Sequence, residues 1–115
     1  MMVLRQFRLE ALLEQDFRLD AIKHAQAEMP REAVGLVVDG AYWPCKNIAD
    51  APQQHFVLDP HDYAKAMFAG TIEAIVHSHP KGTSPSECDR KACRQSKLLW
   101  YVYSVPDNLW STIYP

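Results

Sequence analysis

The sequence predicts an α/β (α+β) domain, a mixed sheet with helices packed on it, and three observations carry that expectation. Short apolar runs of strand length alternate with helical patterns along the chain. Asp39-Gly40 stands between two apolar runs, a strong short-range signal for a β-hairpin. Asp59-Pro60 and the Ser86-x-x-Asp89 pair each open a helix beyond a strand. At 115 residues, 48% hydrophobic and 23% charged, the chain has the make-up of one globular domain, residues 1–115. A domain of that size hides roughly two-thirds of its unfolded surface, enough to fold without disulfides or a structural metal.

Residues 1–16 set Leu9, Leu12 and Leu13 at helical spacing and predict a short amphipathic N-terminal extension. A second helix is expected from Phe17 to Met29, its stripe running through Leu19, Ile22, Ala25 and Met29 and stopping at Pro30. His24 on this segment reads as a surface or packing residue. Ala33 to Val38 is a continuous apolar strand, and Asp39-Gly40 turns it into a second one. Asn47 to Gln54 reads as a polar loop and His55 to Leu58 as a short strand. Asp59 caps a helix with Pro60 at its first position and Gly70 at its end. His55 and His61, flanking its start, read as solvated. Thr71 to Ser78 forms a further strand, Glu87 to about Ser96 a helix, and LLWYVYSV another strand, which Pro106-Asp107-Asn108 turns into a last one from Leu109 to Tyr114. Trp100, Tyr101, Tyr103 and Trp110 are expected to pack on the sheet.

Charge and composition exclude several functions. A net charge of −2 with scattered basic residues lacks the footprint of a nucleic-acid binder. No run approaches the ~20 apolar residues of a membrane span, and the start has no signal-peptide core, so a cytoplasmic protein without membrane partners is expected. Cys45, Cys88 and Cys93 fit neither a disulfide framework nor a CxxC site and are expected to be reduced.

The chemistry concentrates in Ile75 to Asp89, IVHSHPKGTSPSECD. On an extended strand His77 and His79 project from one face. Pro80, Gly82 and Pro85 then turn the chain, and Ser86 opens a helix that carries Asp89 in its first turn, where the dipole favours a carboxylate. Two neutral nitrogens and one carboxylate oxygen suit zinc, and three protein ligands leave a fourth tetrahedral position for water. Ser-x-x-Asp is equally the signature of a capping box. Glu32, just before the first apolar strand, reads by position alone as a charged flank.

These residues resemble the JAMM (MPN+, JAB-type) zinc metalloproteases, whose pattern is an upstream Glu, His-Ser/Thr-His-Pro, a short turn and Ser-x-x-Asp. The segments PREAVGLVV, YWPCKN, FVLDPHDYAKA, HSHP, SECDR and LLWYVYSVPDNLWSTI are most similar to the short prophage and phage tail-assembly members, over about Asp20 to the C-terminus. The resemblance implies a curved mixed sheet in a cytidine-deaminase-like three-layer arrangement. It implies Zn2+ held by His77, His79 and Asp89, with Glu32 as general acid/base and Ser86 as hydrogen-bond donor to the transition state. It also implies hydrolysis of an amide or isopeptide bond in a peptide, protein or peptidoglycan-type substrate. Phage tail proteins or an NlpC-type peptidase domain are the implied partners, and the bacterial host cytoplasm or the virion tail the implied location. One departure is visible: six residues, Pro80 to Pro85, separate His79 from Ser86 where the family usually has seven.

Three other readings compete. Cys45 in WPCKN invites comparison with zinc deaminases, but Ile48 stands where their second cysteine would be and His79 fills the place of their glutamate. A cysteine peptidase built on Cys45 lacks any sign of an activated thiol. A non-catalytic MPN-like docking module in a tail tip or other assembly is the alternative from a different class.

Overall fold

The computed structural model describes residues 17–115, so the helix expected over residues 1–16 lies outside it. The elements are α1 (Phe17–Glu28), β1 (Val34–Val38), β2 (Ala41–Cys45), α2 (Pro60–Ala69), β3 (Ile72–His79), α3 (Glu87–Ser96), β4 (Leu99–Ser104) and β5 (Leu109–Ile113). The five strands form one mixed sheet in the order β2-β1-β3-β4-β5. Only β3 and β4 run parallel, joined by the α3 crossover; the other pairs are antiparallel. The α+β expectation holds, and the helices divide between the two faces to give three layers.

Each face follows from side-chain alternation. Val34, Leu36, Val38, Ile75, Trp100, Val102 and Ile113 point to the side covered by Ala66 of α2 and Cys93 of α3. Val37, Ala74 and Val76 point to the other side, against Phe17 and Ala21 of α1. With helices on both sides, β1 is buried at every residue, and that is why it reads as an unbroken apolar run. Asp39 and Gly40 both take positive φ, as a two-residue hairpin turn requires.

Two expectations are corrected. The stripe of α1 is rotated: Phe17, Ala21 and Ala25 are buried, while Leu19 is 59% exposed. Phe17 packs on Tyr101 and Trp110, and beyond that anchor the helix presents small alanines to the sheet. The segment His55 to Leu58 is not a strand but an irregular loop ending in a single bridge between Leu58 and Asn47. His55 O and Val57 N bond the Asn47 side chain, while His55 N donates to Ala51 O and Val57 O accepts from Ile48 N.

Close approach fixes one glycine. The Tyr42 ring lies over Gly35, where a Cβ would sit 2.4 Å from its Cζ. Tyr42 Oη in turn lies 2.6 Å from Nδ1 of His24, which is the packing role read for that histidine.

Candidate metal centre

The site is built at one end of β1 and β3. Their antiparallel register pairs Val34 with His77, which sets Glu32, two residues earlier, beside His79. Ser78, between the two histidines, locks this register twice: its N–H donates to Ala33 O at 3.0 Å and its Oγ accepts from Ala33 N at 2.8 Å. A separation of 45 residues is closed by those two bonds. After His79 the chain turns at once, with Gly82 N donating to His79 O, and Gly82 takes the positive φ that the turn needs.

Ser86 then caps α3. Its Oγ accepts from Asp89 N, and Asp89 Oδ2 accepts from Ser86 N, both at 3.0 Å, a complete capping box. The same Asp89 carboxylate meets both imidazoles, Oδ1 at 3.5 Å from His77 Nε2 and Oδ2 at 3.2 Å from His79 Nε2. The two Nε2 atoms are 3.2 Å apart. Capping and convergence on the histidines are therefore properties of one side chain, and the shorter turn leaves Asp89 within reach. Glu32 faces the same point: Glu32, His77 and His79 each offer an atom within 4.8 Å of the others, a cluster that could hold a metal ion.

The donor set suits a cation. Thr83 O, 2.7 Å from His79 Nδ1, accepts that ring's N–H, which leaves the Nε2 lone pair of the neutral ring directed into the cluster. His77 Nδ1 has no partner among the described residues, and its Nε2 also points inward. Ligand atoms held tetrahedrally at zinc bond lengths lie about 3.4 Å from one another. The two Nε2 atoms, 3.2 Å apart, lie near that edge, while Asp89 meets the rings through different oxygens, Oδ1 at His77 and Oδ2 at His79.

Electrostatics separate the two carboxylates. Burial pushes Glu32 up from 4.5 to about 7, with His79 opposing and Asp89 assisting. Burial also works to raise Asp89, but the His77 and His79 rings beside it outweigh that and hold the group well below the usual carboxylate range. His77 is lowered by burial against the pull of Asp89. For His79 burial acts to lower the value, and Asp89, the Thr83 carbonyl and Glu32 together raise it.

A cleft of about 710 Å³ opens over the cluster, with Glu32, His79, Ser86 and Asp89 on its floor and Phe56 and Trp100 in its wall. Phe56 lies against the His77 ring, centroids 4.5 Å apart, and Trp100 meets it edge-on at 5.3 Å. All five residues singled out by sequence thus come together. Sequence reasoning missed Phe56, Ser78, Thr83 and Asn47, whose parts depend on long-range pairing. Burial pushes the Cys45 thiol up to about 12, consistent with an inert cysteine.

Residues 14–112 match the family described as prokaryotic homologs of the JAB domain. The chain belongs to that family. Among curated relatives, the prokaryotic JAB-domain chain is 46% identical over 103 residues to the tail tip assembly protein K of Escherichia phage N15, covering 84% of this chain and 42% of that protein. It is 44% identical over 46 residues to the tail tip assembly protein K of Escherichia phage lambda, covering 39% of this chain and 23% of that protein. The chain thus spans less than half the length of these relatives. Among solved structures, the solution structure of protein DSY2949 from Desulfitobacterium hafniense matches with a TM-score of 0.68 at 23% identity, over 85% of this chain and 77% of that one, a likeness of fold.

Proposed function

We propose that residues 1–115 form a zinc-dependent metallopeptidase domain of the JAMM type that hydrolyses an amide or isopeptide bond in phage tail assembly. The observation that carries this reading is the convergence of His77 Nε2, His79 Nε2 and the Asp89 carboxylate, with Glu32 beside the two imidazoles, in the floor of a cleft. These three residues would hold the ion, Asp89 supplying the charge that its low protonation affinity keeps available. Bound there, zinc supplies Lewis-acid polarisation and lowers the pKa of water from ~15.7 towards ~7.

The remaining chemistry belongs to the chain. Glu32, buried and held near neutrality, takes the proton of the attacking water and returns it to the leaving amine. The Ser86 Oγ spends a lone pair on Asp89 N, so its own hydrogen is left to donate to the developing oxyanion. One such donor supplies about 3 kcal/mol. Phe56 and Trp100 keep water from the His77 side of the cluster.

The relatives' role in tail tip assembly supports other tail proteins as partners, with action in the host cytoplasm or in the virion tail. Peptide, protein and peptidoglycan-type amides are the substrate classes, and an NlpC-type peptidase domain is a further partner. A second reading, a docking module without catalysis, draws on Met67 and Phe68 of α2, which are 62% and 94% exposed. Elemental analysis of protein purified without added zinc, with cleavage of purified tail proteins and peptidoglycan-derived peptides followed by mass spectrometry, separates the two. About one zinc per chain, falling to near none in His79→Ala, together with cleavage by wild type alone, is expected. Equal metal in both proteins would remove the site.

A further inference from the structure

Asn47 stands outside the metal cluster, yet its side chain reaches the backbone of Glu32. It is 7% exposed. Its Nδ2 donates to Glu32 O at 2.9 Å and to His55 O at 3.0 Å, with Pro52 O at 3.4 Å. Its Oδ1 accepts from Ala49 N at 3.1 Å and Val57 N at 3.0 Å. Two donors and two lone pairs are the full capacity of a carboxamide, and all are used. The peptide of Glu32 is fastened on its other side too, where its N–H donates to Pro52 O at 2.7 Å.

The consequence is a clamp between two parts of the cleft. One end holds the residue that carries the Glu32 carboxylate; the other holds the loop with His55 and Phe56, and Phe56 lies on His77. An aspartate would keep the acceptor and lose both donors, and alanine would leave four backbone groups, Glu32 O, His55 O, Ala49 N and Val57 N, to find new partners. We propose that Asn47 is a positioning residue, which sets the Glu32 carboxylate against the two imidazoles by holding the Glu32 carbonyl and the cleft-wall loop together. This role rests on the metallopeptidase reading. Proton transfer needs donor and acceptor within about 3 Å, and a displacement near 1 Å costs about 100-fold in rate.

The test uses the full chain loaded with cobalt(II), comparing wild type, Asn47→Ala, the milder Asn47→Ser and Glu32→Gln. Asn47→Ala should take up the same cobalt per chain as wild type. Its kcat should fall by about 10-fold or more with KM within about 3-fold. The pH midpoint of its visible cobalt absorption should move in the direction that Glu32→Gln moves it, a signature that lost stability alone does not produce. Wild-type kcat per folded molecule, or a wild-type midpoint, would overturn the role. Unfolding of both Asn47 variants would do the same by making Asn47 a folding residue. Failure of the metallopeptidase reading shows separately in wild type: no cobalt uptake overturns both, while uptake without cleavage leaves the spectrum to decide on Asn47.

Discussion

Replacing Glu32 by Gln should stabilise the metal-free protein at alkaline pH and change it little at acid pH. The magnitude comes from the burial that lifts Glu32 from 4.5 to about 7. Below 4.5 the group is protonated in folded and unfolded chains alike, and burial costs nothing extra. Between the two values the folded chain binds more protons than the unfolded one, so wild-type stability falls as pH rises. Above about 7 both states are ionised and the full penalty is present. At about 1.4 kcal/mol per pH unit, that interval amounts to about 3 kcal/mol. Gln has the same shape and no charge to bury, so it escapes this cost.

The assay is guanidinium unfolding of wild type and Glu32→Gln in chelator, because a bound cation would stabilise the carboxylate and hide the effect. The stability difference should widen from under about 1 kcal/mol at pH 5 to about 3 kcal/mol at pH 8.5. A constant offset, from the new amide, can shift both values without altering the trend. His77, His79 and Asp89 remain in both proteins, so to first order their titrations cancel in the difference. A difference that does not change with pH, or that widens towards acid, would refute the placement of Glu32 in a desolvated site.

Two further substitutions test the frame around the site. Ser86→Ala removes the cap on Asp89 N and should cost about 1 kcal/mol in thermal or denaturant unfolding. Its hydrolysis should fall about 100-fold or more; stability loss with full activity would make Ser86 a cap and nothing else. Gly35→Ala should drive Tyr42 from its seat and break its contact with His24, at about 1–3 kcal/mol, several degrees in melting temperature. An unchanged melting temperature would show that the Tyr42 ring yields freely.

Local signals account for most of what the sequence disclosed. The Asp39-Gly40 hairpin, the Asp59-Pro60 helix start and the Ser86 cap each depend on residues a few positions apart, and each appears where its chemistry demands. The buried face of α1 departs from its hydrophobic stripe because the aromatic surface of Tyr101 and Trp110 takes an aromatic anchor and small residues. The segment from His55 to Leu58 is loop and not strand because its order comes from Asn47, a polar side chain that looks like loop composition until its partners are seen. Glu32 was legible only through family resemblance. What brings it to the histidines is the β1–β3 register and the Ser78 bonds, a relation across 45 residues that no local pattern encodes.

The capping box and the metal-ligand pattern are rival readings of Ser86-x-x-Asp89, and the geometry is compatible with both at once, since one carboxylate caps α3 and faces the two imidazoles. A carboxylate that bonds its own helix N-terminus loses most of its rotamer freedom, which a free surface aspartate would have to surrender on binding a cation. Here helix formation has already met that cost. Asp89 is 15% exposed on its side chain, and it is aimed at two imidazoles by an interaction that also stabilises α3. The turn before it needs only to deliver the first residue of the cap to the cleft. A six-residue connection held by Gly82 N to His79 O and by Thr83 on the His79 ring does so with one residue fewer than the family pattern. The aim of Asp89 is set by the cap, not by the length of the turn, so insertion of one residue between Gly82 and Ser86 should leave zinc stoichiometry unchanged, while Ser86→Ala should weaken zinc binding although Ser86 is no ligand. Competition with a chromophoric chelator measures both. Tighter or equal binding in Ser86→Ala would mean that the imidazoles alone orient the carboxylate.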